Sequence, residues 1–182
     1  MSDEADRKLI EASRAGNDRA FGDLVKKYQK PIFNLALQMT GRYDEACDIT
    51  QNTFIKAFSN LDSYKPDFRF FSWIYRMALN ETINWIKKSC RLEPLDRHLA
   101  DRTASPEEKC ITEQMHNILD RAIARMKIEA RVLIVLRYFA DLSYREIGYI
   151  MEIPEKTVKS RLYSARQQLQ SLCTAMGIAS YE

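Results

Sequence analysis

LSYREIGYIMEIPEKTVKSRL, from Leu142 to Leu162, is the stretch on which the fold turns. Ser143 and Glu146 stand at the spacing of a capping box, in which the side chains of the first and fourth residues satisfy each other's backbone amides at a helix start. Leu142 is placed to staple onto Ile147. The pattern predicts a short helix ending near Met151, a tight turn at Glu152-Ile153-Pro154, and a second helix from Glu155 that buries Val158, Leu162, Ala165 and Leu169. Two helices joined by so short a turn have the form of a helix-turn-helix. On the second helix Lys156, Ser160, Tyr163 and Gln167 lie opposite the buried face, flanked by Lys159 and Arg166 on one side and Arg161 on the other. Donors at the start of such a helix can reach base edges in a major groove, while flanking cations neutralise phosphates. The competing reading is an αα-hairpin with a solvated basic face. The succession of cap, apolar stripe, turn and Thr157-Val158-Lys159-Ser160-Arg161-Leu162 favours DNA.

Upstream, Ser105-Pro106-Glu107-Glu108 combines a capping Ser, a Pro at the first helical position and an acid three residues after the cap. The helix it starts carries Ile111, Met115, Ile118, Leu119, Ala122, Ile123 and Met126, and another follows through Val132, Leu133, Leu136 and Phe139. Between Cys90 and Ala104 the periodicity is lost, Pro94 intervenes and charges alternate in sign, as in a linker. The expectation is an all-α chain of two helical domains, 1–89 and 105–182, joined by a flexible linker at 90–104.

In the first unit Ser2 is placed to cap a helix ending near Gly16, and Asn17 a second one through Phe21, Leu24, Val25 and Tyr28, which Pro31 should kink or break. Helix resumes to Gly41, and Asp44 is expected to cap one carrying Ile49, Thr53, Phe54, Ala57 and Phe58. From Phe71 to Lys88 the apolar residues Phe71, Ile74, Ala78 and Trp85 share one face and Arg76, Asn80, Asn84 and Lys87 another. Tyr64, Phe68, Phe70, Phe71, Trp73 and Tyr75 crowd against Lys65, Arg69 and Arg76, a mixture that suits unpaired bases beside a charged backbone. The rings could equally be core, and spacing does not divide them.

Across 182 residues the apolar fraction is 46% and the charged fraction 29%, with five Gly and five Pro, which excludes collagen, disorder and turn-rich β-sandwiches. The net charge of +3 is mild, but its distribution is uneven. Residues 121–170 hold ten Lys and Arg against five Asp and Glu, whereas 91–113 hold four against six. Cys47, Cys90, Cys110 and Cys173 form no C-x-x-C pair, so neither a zinc motif nor a disulfide framework is indicated. The charged N-terminus and the want of about 18 consecutive apolar residues give no targeting or membrane signal, and a cytoplasmic protein is expected. His98 and His116 are isolated and no nucleophile elbow, zinc-protease or phosphate-loop motif occurs, so no enzyme, metal or cofactor is expected. A dimeric helix-turn-helix regulator and a helical interaction protein without DNA affinity stand as alternatives.

Taken together, the two units resemble the extracytoplasmic-function group of bacterial sigma factors, over nearly the whole chain. Residues 44–54, DEACDITQNTF, resemble that family's polymerase-docking helix, and 70–80, FFSWIYRMALN, its promoter-melting segment. The resemblance implies that Asp48, Gln51 and Phe54 contact core RNA polymerase, and that Lys65, Phe68, Arg69, Arg76 and Asn80 engage the minus-10 element. The helix-turn-helix resembles sigma region 4, which implies minus-35 contacts from Lys156, Thr157, Lys159, Ser160, Arg161 and Arg166. Two positions depart from the family pattern: Asn52 where an acid is usual, and Lys156 where Gly is common. The resemblance further implies an anti-sigma partner, and a connector, here the acidic stretch, that threads the polymerase.

Overall fold

The computed structural model describes residues 2–67, 69–92 and 111–177, and among these there is no β-strand. Helices α1 (Ser2–Arg14), α2 (Asp18–Thr40), α3 (Tyr43–Ser59) and α4 (Phe70–Leu92) build the first unit, with a 3-10 turn at Leu61–Ser63 between α3 and α4. Helices α5 (Ile111–Arg125), α6 (Ile128–Ile134), α7 (Tyr144–Met151) and α8 (Glu155–Ala175) build the second. The expected start at Ser105 lies outside the described residues.

Helix α2 runs through the middle of the first unit and packs against α1, α3 and α4. Asn17 caps it as its side-chain type predicts, with Oδ1 accepting from the amides of Arg19 and Ala20. Gly41 closes the other end in the left-handed region, at φ 70°. Of the two outcomes expected at Pro31, a kink or a break, the break does not occur: the helix continues through it. Tyr28, Ile32, Leu35 and Met39 on either side of it are buried. Burial worth about 1.5–3 kcal/mol for each large apolar side chain outweighs the roughly 3 kcal/mol that an interior proline costs. Helix α1 is pinned to α2 by buried Asp6, whose carboxylate accepts from the Tyr28 hydroxyl and pairs with Lys27.

Two boundaries move. Helix α3 begins one residue before Asp44, after an Arg42 that makes no side-chain cap, so Asp44 lies in the first turn, where its charge still favours the helix dipole. Helix α4 continues to Leu92, three residues into the expected linker, since nothing before Pro94 opposes helix and only its predecessor is restricted.

In the second unit Val132–Leu136, Ile147, Val158 and Leu162 are buried. Beyond α6 the helix widens into a π turn at Val135–Phe139, with the Ala140 amide on the Val135 carbonyl at 3.1 Å. The two units share one hydrophobic core: α7 packs on α4, and the π turn packs on α2.

Candidate nucleic-acid interface

The helix-turn-helix forms from α7 and α8 at the predicted boundaries. Ser143 Oγ accepts from the Glu146 amide at 3.3 Å, and Glu146 Oε2 accepts from the Ser143 amide at 3.0 Å. Leu142 and Ile147 are both buried beneath this start. The turn depends on two backbone facts. Glu152 adopts left-handed φ, at 55°, with its amide on the Gly148 carbonyl. Gly148 is buried, and a Cβ there would lie 2.8 Å from the Ile153 carbonyl oxygen, so only glycine lets α7 pass so close to the chain entering α8.

Along α8, Val158, Leu162 and Ala165 are buried and Leu169 is half-buried. Lys156, Lys159, Ser160, Arg161 and Arg166 are exposed, and Thr157 is half-buried. Among the described residues no acid pairs with Lys156, Lys159, Arg161 or Arg166, which leaves a positively charged ridge. Ser160 turns its hydroxyl to the Thr157 carbonyl at 3.1 Å. Tyr163, also exposed, adds a ring to the same face.

The first unit presents Lys65, Arg69, Arg76 and Asn80 along the loop before α4 and the outer side of that helix. Phe68 lies outside the described residues. Most of the rings considered as a stacking surface are core: Tyr64, Phe70, Trp73 and Tyr75 are buried, and Phe71 is half-buried against Tyr28 and Tyr75. Burial also pushes the Tyr75 hydroxyl well above its ordinary pKa, and this hydroxyl donates to the Pro31 carbonyl at 3.4 Å. The rings therefore fix α4 and leave its cations and amide facing outward.

Two of those cations meet the second unit. Arg69 Nη1 lies 3.3 Å from Glu146 Oε1, and Arg76 pairs with Glu152 while its guanidinium sits 5.9 Å from the Tyr149 ring centroid. Burial would raise the Glu146 carboxyl, but the bonds from the Ser143 amide and hydroxyl and from Arg69 outweigh it and hold the carboxyl below its usual range. A cavity of about 350 Å³ lies between the units, walled by Arg7, Tyr64, Pro66 and Arg69 on one side and by Ser143 and Arg145 on the other.

On α3, Asp48 and Gln51 are exposed, whereas Phe54 is buried, with its ring 6.5 Å from that of Phe21. Ile55 and Phe58 are exposed on the same outward row as Asp48 and Gln51, at helical spacings of three and four. Sequence reasoning missed Ile55. The signal was present, because Ile55 is out of step with the buried row Ala46, Ile49, Thr53 and Ala57.

Residues 24–91 match the family model for sigma-70 region 2, and residues 116–169 that for sigma-70 region 4. The chain is 34% identical over 176 residues to the ECF RNA polymerase sigma factor SigW of Bacillus subtilis, covering 90% of this chain and 94% of SigW. It is 33% identical over 184 residues to the ECF RNA polymerase sigma-E factor of Escherichia coli K12, covering 94% and 96%. Among solved structures it is similar to CnrH in complex with the cytosolic domain of CnrY, with TM-score 0.71, 26% identity, and 94% of this chain and 98% of that one covered. The sigma factor RpoE of Bartonella quintana, in complex with the anti-sigma factor NepR, shares the fold at TM-score 0.65 and 20% identity, over 85% of this chain and 96% of that one.

Proposed function

The chain belongs to the extracytoplasmic-function group of the sigma-70 family, and from that premise we propose how its residues divide the work of binding core RNA polymerase and starting promoter-specific transcription. Helix α3 docks on the polymerase through Asp48, Gln51, Ile55 and Phe58, with buried Phe54 holding that row in place from behind. Asn52, exposed beside Gln51, supplies an amide where the family commonly has a charge. Lys65, Phe68, Arg69, Arg76 and Asn80 engage the minus-10 element. Helix α8 enters the major groove at the minus-35 element, with Lys156, Thr157 and Ser160 toward base edges and Lys159, Arg161 and Arg166 toward phosphates.

The observation that carries this reading is the unpaired basic ridge of α8 on the same chain as a cation-and-amide row on α4. The first is shaped for duplex DNA, and the second offers a separated strand charge and hydrogen bonds, the rings behind it being core. No covalent step is required of the protein. Capture of an unstacked base offsets the few kcal/mol spent in flipping it. Regulation by an anti-sigma protein fits exposed Ile55 and Phe58 on the first unit and exposed Tyr138 and Phe139 on the second, which offer it apolar anchors. Among the described residues no helix is long and apolar enough to cross a membrane.

Co-elution of the purified chain with bacterial core RNA polymerase tests the reading. Stoichiometric binding is expected, and the Asp48→Ala, Gln51→Ala double variant should lose it while keeping its fold. A wild-type chain that ignores polymerase yet shifts duplex DNA alone would instead be a stand-alone regulator.

A further inference from the structure

Helix α1 lies outside the segment matched by the region 2 model, yet it contacts the loop that leads into α4. Its register is fixed by buried Ile10 and by the Asp6 carboxylate in its contacts with Tyr28 and Lys27. From that anchored helix Arg14 extends one guanidinium nitrogen, Nη2, toward three carbonyl oxygens: Leu61 at 2.8 Å, Asp62 at 3.3 Å and Tyr64 at 2.8 Å. Its Nε also lies 3.7 Å from the Asp62 carboxylate. The Leu61 carbonyl also accepts the Tyr64 amide, at 3.1 Å, in the bond that closes the 3-10 turn, so the guanidinium reinforces that closure and ties down the two carbonyls after it.

The consequence falls on the loop. Tyr64 is held twice, by its carbonyl on Arg14 and by its ring, which meets Phe70 and Trp73 edge-on at 5.5 Å. Tyr64 is thus a fixed point before Lys65, and Phe70, buried at the start of α4, is another after Arg69. Where Lys65 and Arg69 emerge is set by that clamp. Arg7, two helical turns before Arg14 and so on the same side of α1, lines the cavity with Pro66, Asp67 and Arg69.

We propose that Arg14 is a positioning residue for promoter melting: without touching DNA, it anchors the chain at Tyr64 and so sets where Lys65 and Arg69 meet the opened strand. The proposal rests on the assignment of this loop to the minus-10 element. A lysine would keep the charge and N–H donors on one nitrogen but lose the guanidinium's fixed plane and its separate Nε, which faces Asp62.

The test uses the full chain with core polymerase on a linear DNA fragment from which the wild-type holoenzyme initiates. Arg14→Ala should lower permanganate reactivity of the minus-10 thymines by about tenfold, on the scale of a lost charge-assisted contact. Its affinity for core polymerase should stay within about twofold of wild type on that same scale, and Arg14→Lys should fall between the two in melting. Undiminished strand opening in Arg14→Ala would overturn the proposal, as would melting and polymerase affinity falling in parallel, the mark of a merely structural role. A wild-type holoenzyme that opens no DNA would overturn the minus-10 assignment itself, a result distinct from equal melting by wild type and variant.

Discussion

Single residues decide how the helix-turn-helix closes. Gly148 is the sharpest case, because the atom a Cβ would meet is the Ile153 carbonyl oxygen, a backbone atom whose own residue donates its amide to the Gly148 carbonyl at 3.0 Å. Neither side can yield without opening the turn. Gly148→Ala should therefore cost about 1–3 kcal/mol despite the better helix propensity of alanine. Urea unfolding should show the lowered midpoint, and binding of duplex minus-35 DNA should weaken with it; an unchanged midpoint would mean that the turn yields to admit a methyl group. The capping residues Asn17, Ser143 and Glu146 were legible in the sequence because a cap is a local interaction, set by residues two or three positions apart. The need for glycine at 148 was not, since it arises only when two helices approach.

At the scale of the element, hydrophobic periodicity located the helices well but divided their faces less well. On α3, Phe54 and Ile55 are neighbours in sequence with opposite orientations, one buried against Phe21 and the other in solvent. The expected polymerase row included Phe54 by resemblance, whereas the helical spacing in space is Asp48, Gln51, Ile55 and Phe58. The two kinds of residue should respond differently to substitution. Ile55→Ser should leave the thermal midpoint nearly unchanged and weaken polymerase binding, whereas Phe58, half exposed but with its ring 4.9 Å from that of Phe21, serves both the surface and the core. Phe54→Ala should cost about 3–5 kcal/mol of stability as a core truncation. A thermal melt and polymerase co-elution on each variant check this; loss of stability in Ile55→Ser, or its absence in Phe54→Ala, would refute the division. Pro31 illustrates the limit of local reading, because a proline's cost is local but the burial that outweighs it comes from α1, α3 and α4. The rings before and within α4 were ambiguous for the same reason: aromatics serve cores and stacking surfaces alike, and only packing against Tyr28 and Pro31 separates the uses.

The whole molecule adds a constraint that neither unit contains. Glu146 and Glu152 pair with Arg69 and Arg76, residues 77 and 76 positions away, so the helix-turn-helix covers cations assigned to the opened strand. No sequence pattern announces this, because charges on a solvated face and charges that meet across an interface look the same. The minus-10 and minus-35 elements are about 25 base pairs apart, or about 85 Å along B-form DNA. A compact body of this length has a radius of gyration of about 16 Å, so it cannot occupy both elements until the units part. Both ion pairs are partly exposed, so each contributes little alone and is weakened by salt. The Glu146→Gln, Glu152→Gln double variant keeps the capping box, which accepts Gln as well as Glu, and removes both closing charges. Its radius of gyration by X-ray scattering at low salt should exceed that of wild type, and the difference should shrink as salt opens the wild-type chain. Acid should act in the same direction. The Glu146 carboxyl is held below its ordinary value of 4.5, so its stabilising contribution is complete above that pH and is lost as the pH falls below it, through the depressed folded value. Equal radii for wild type and double variant across salt would mean that the contacts of α7 on α4 and of the π turn on α2 close the molecule without the ion pairs. Polymerase, rather than DNA phosphates competing for Arg69 and Arg76, would then have to supply the work of opening.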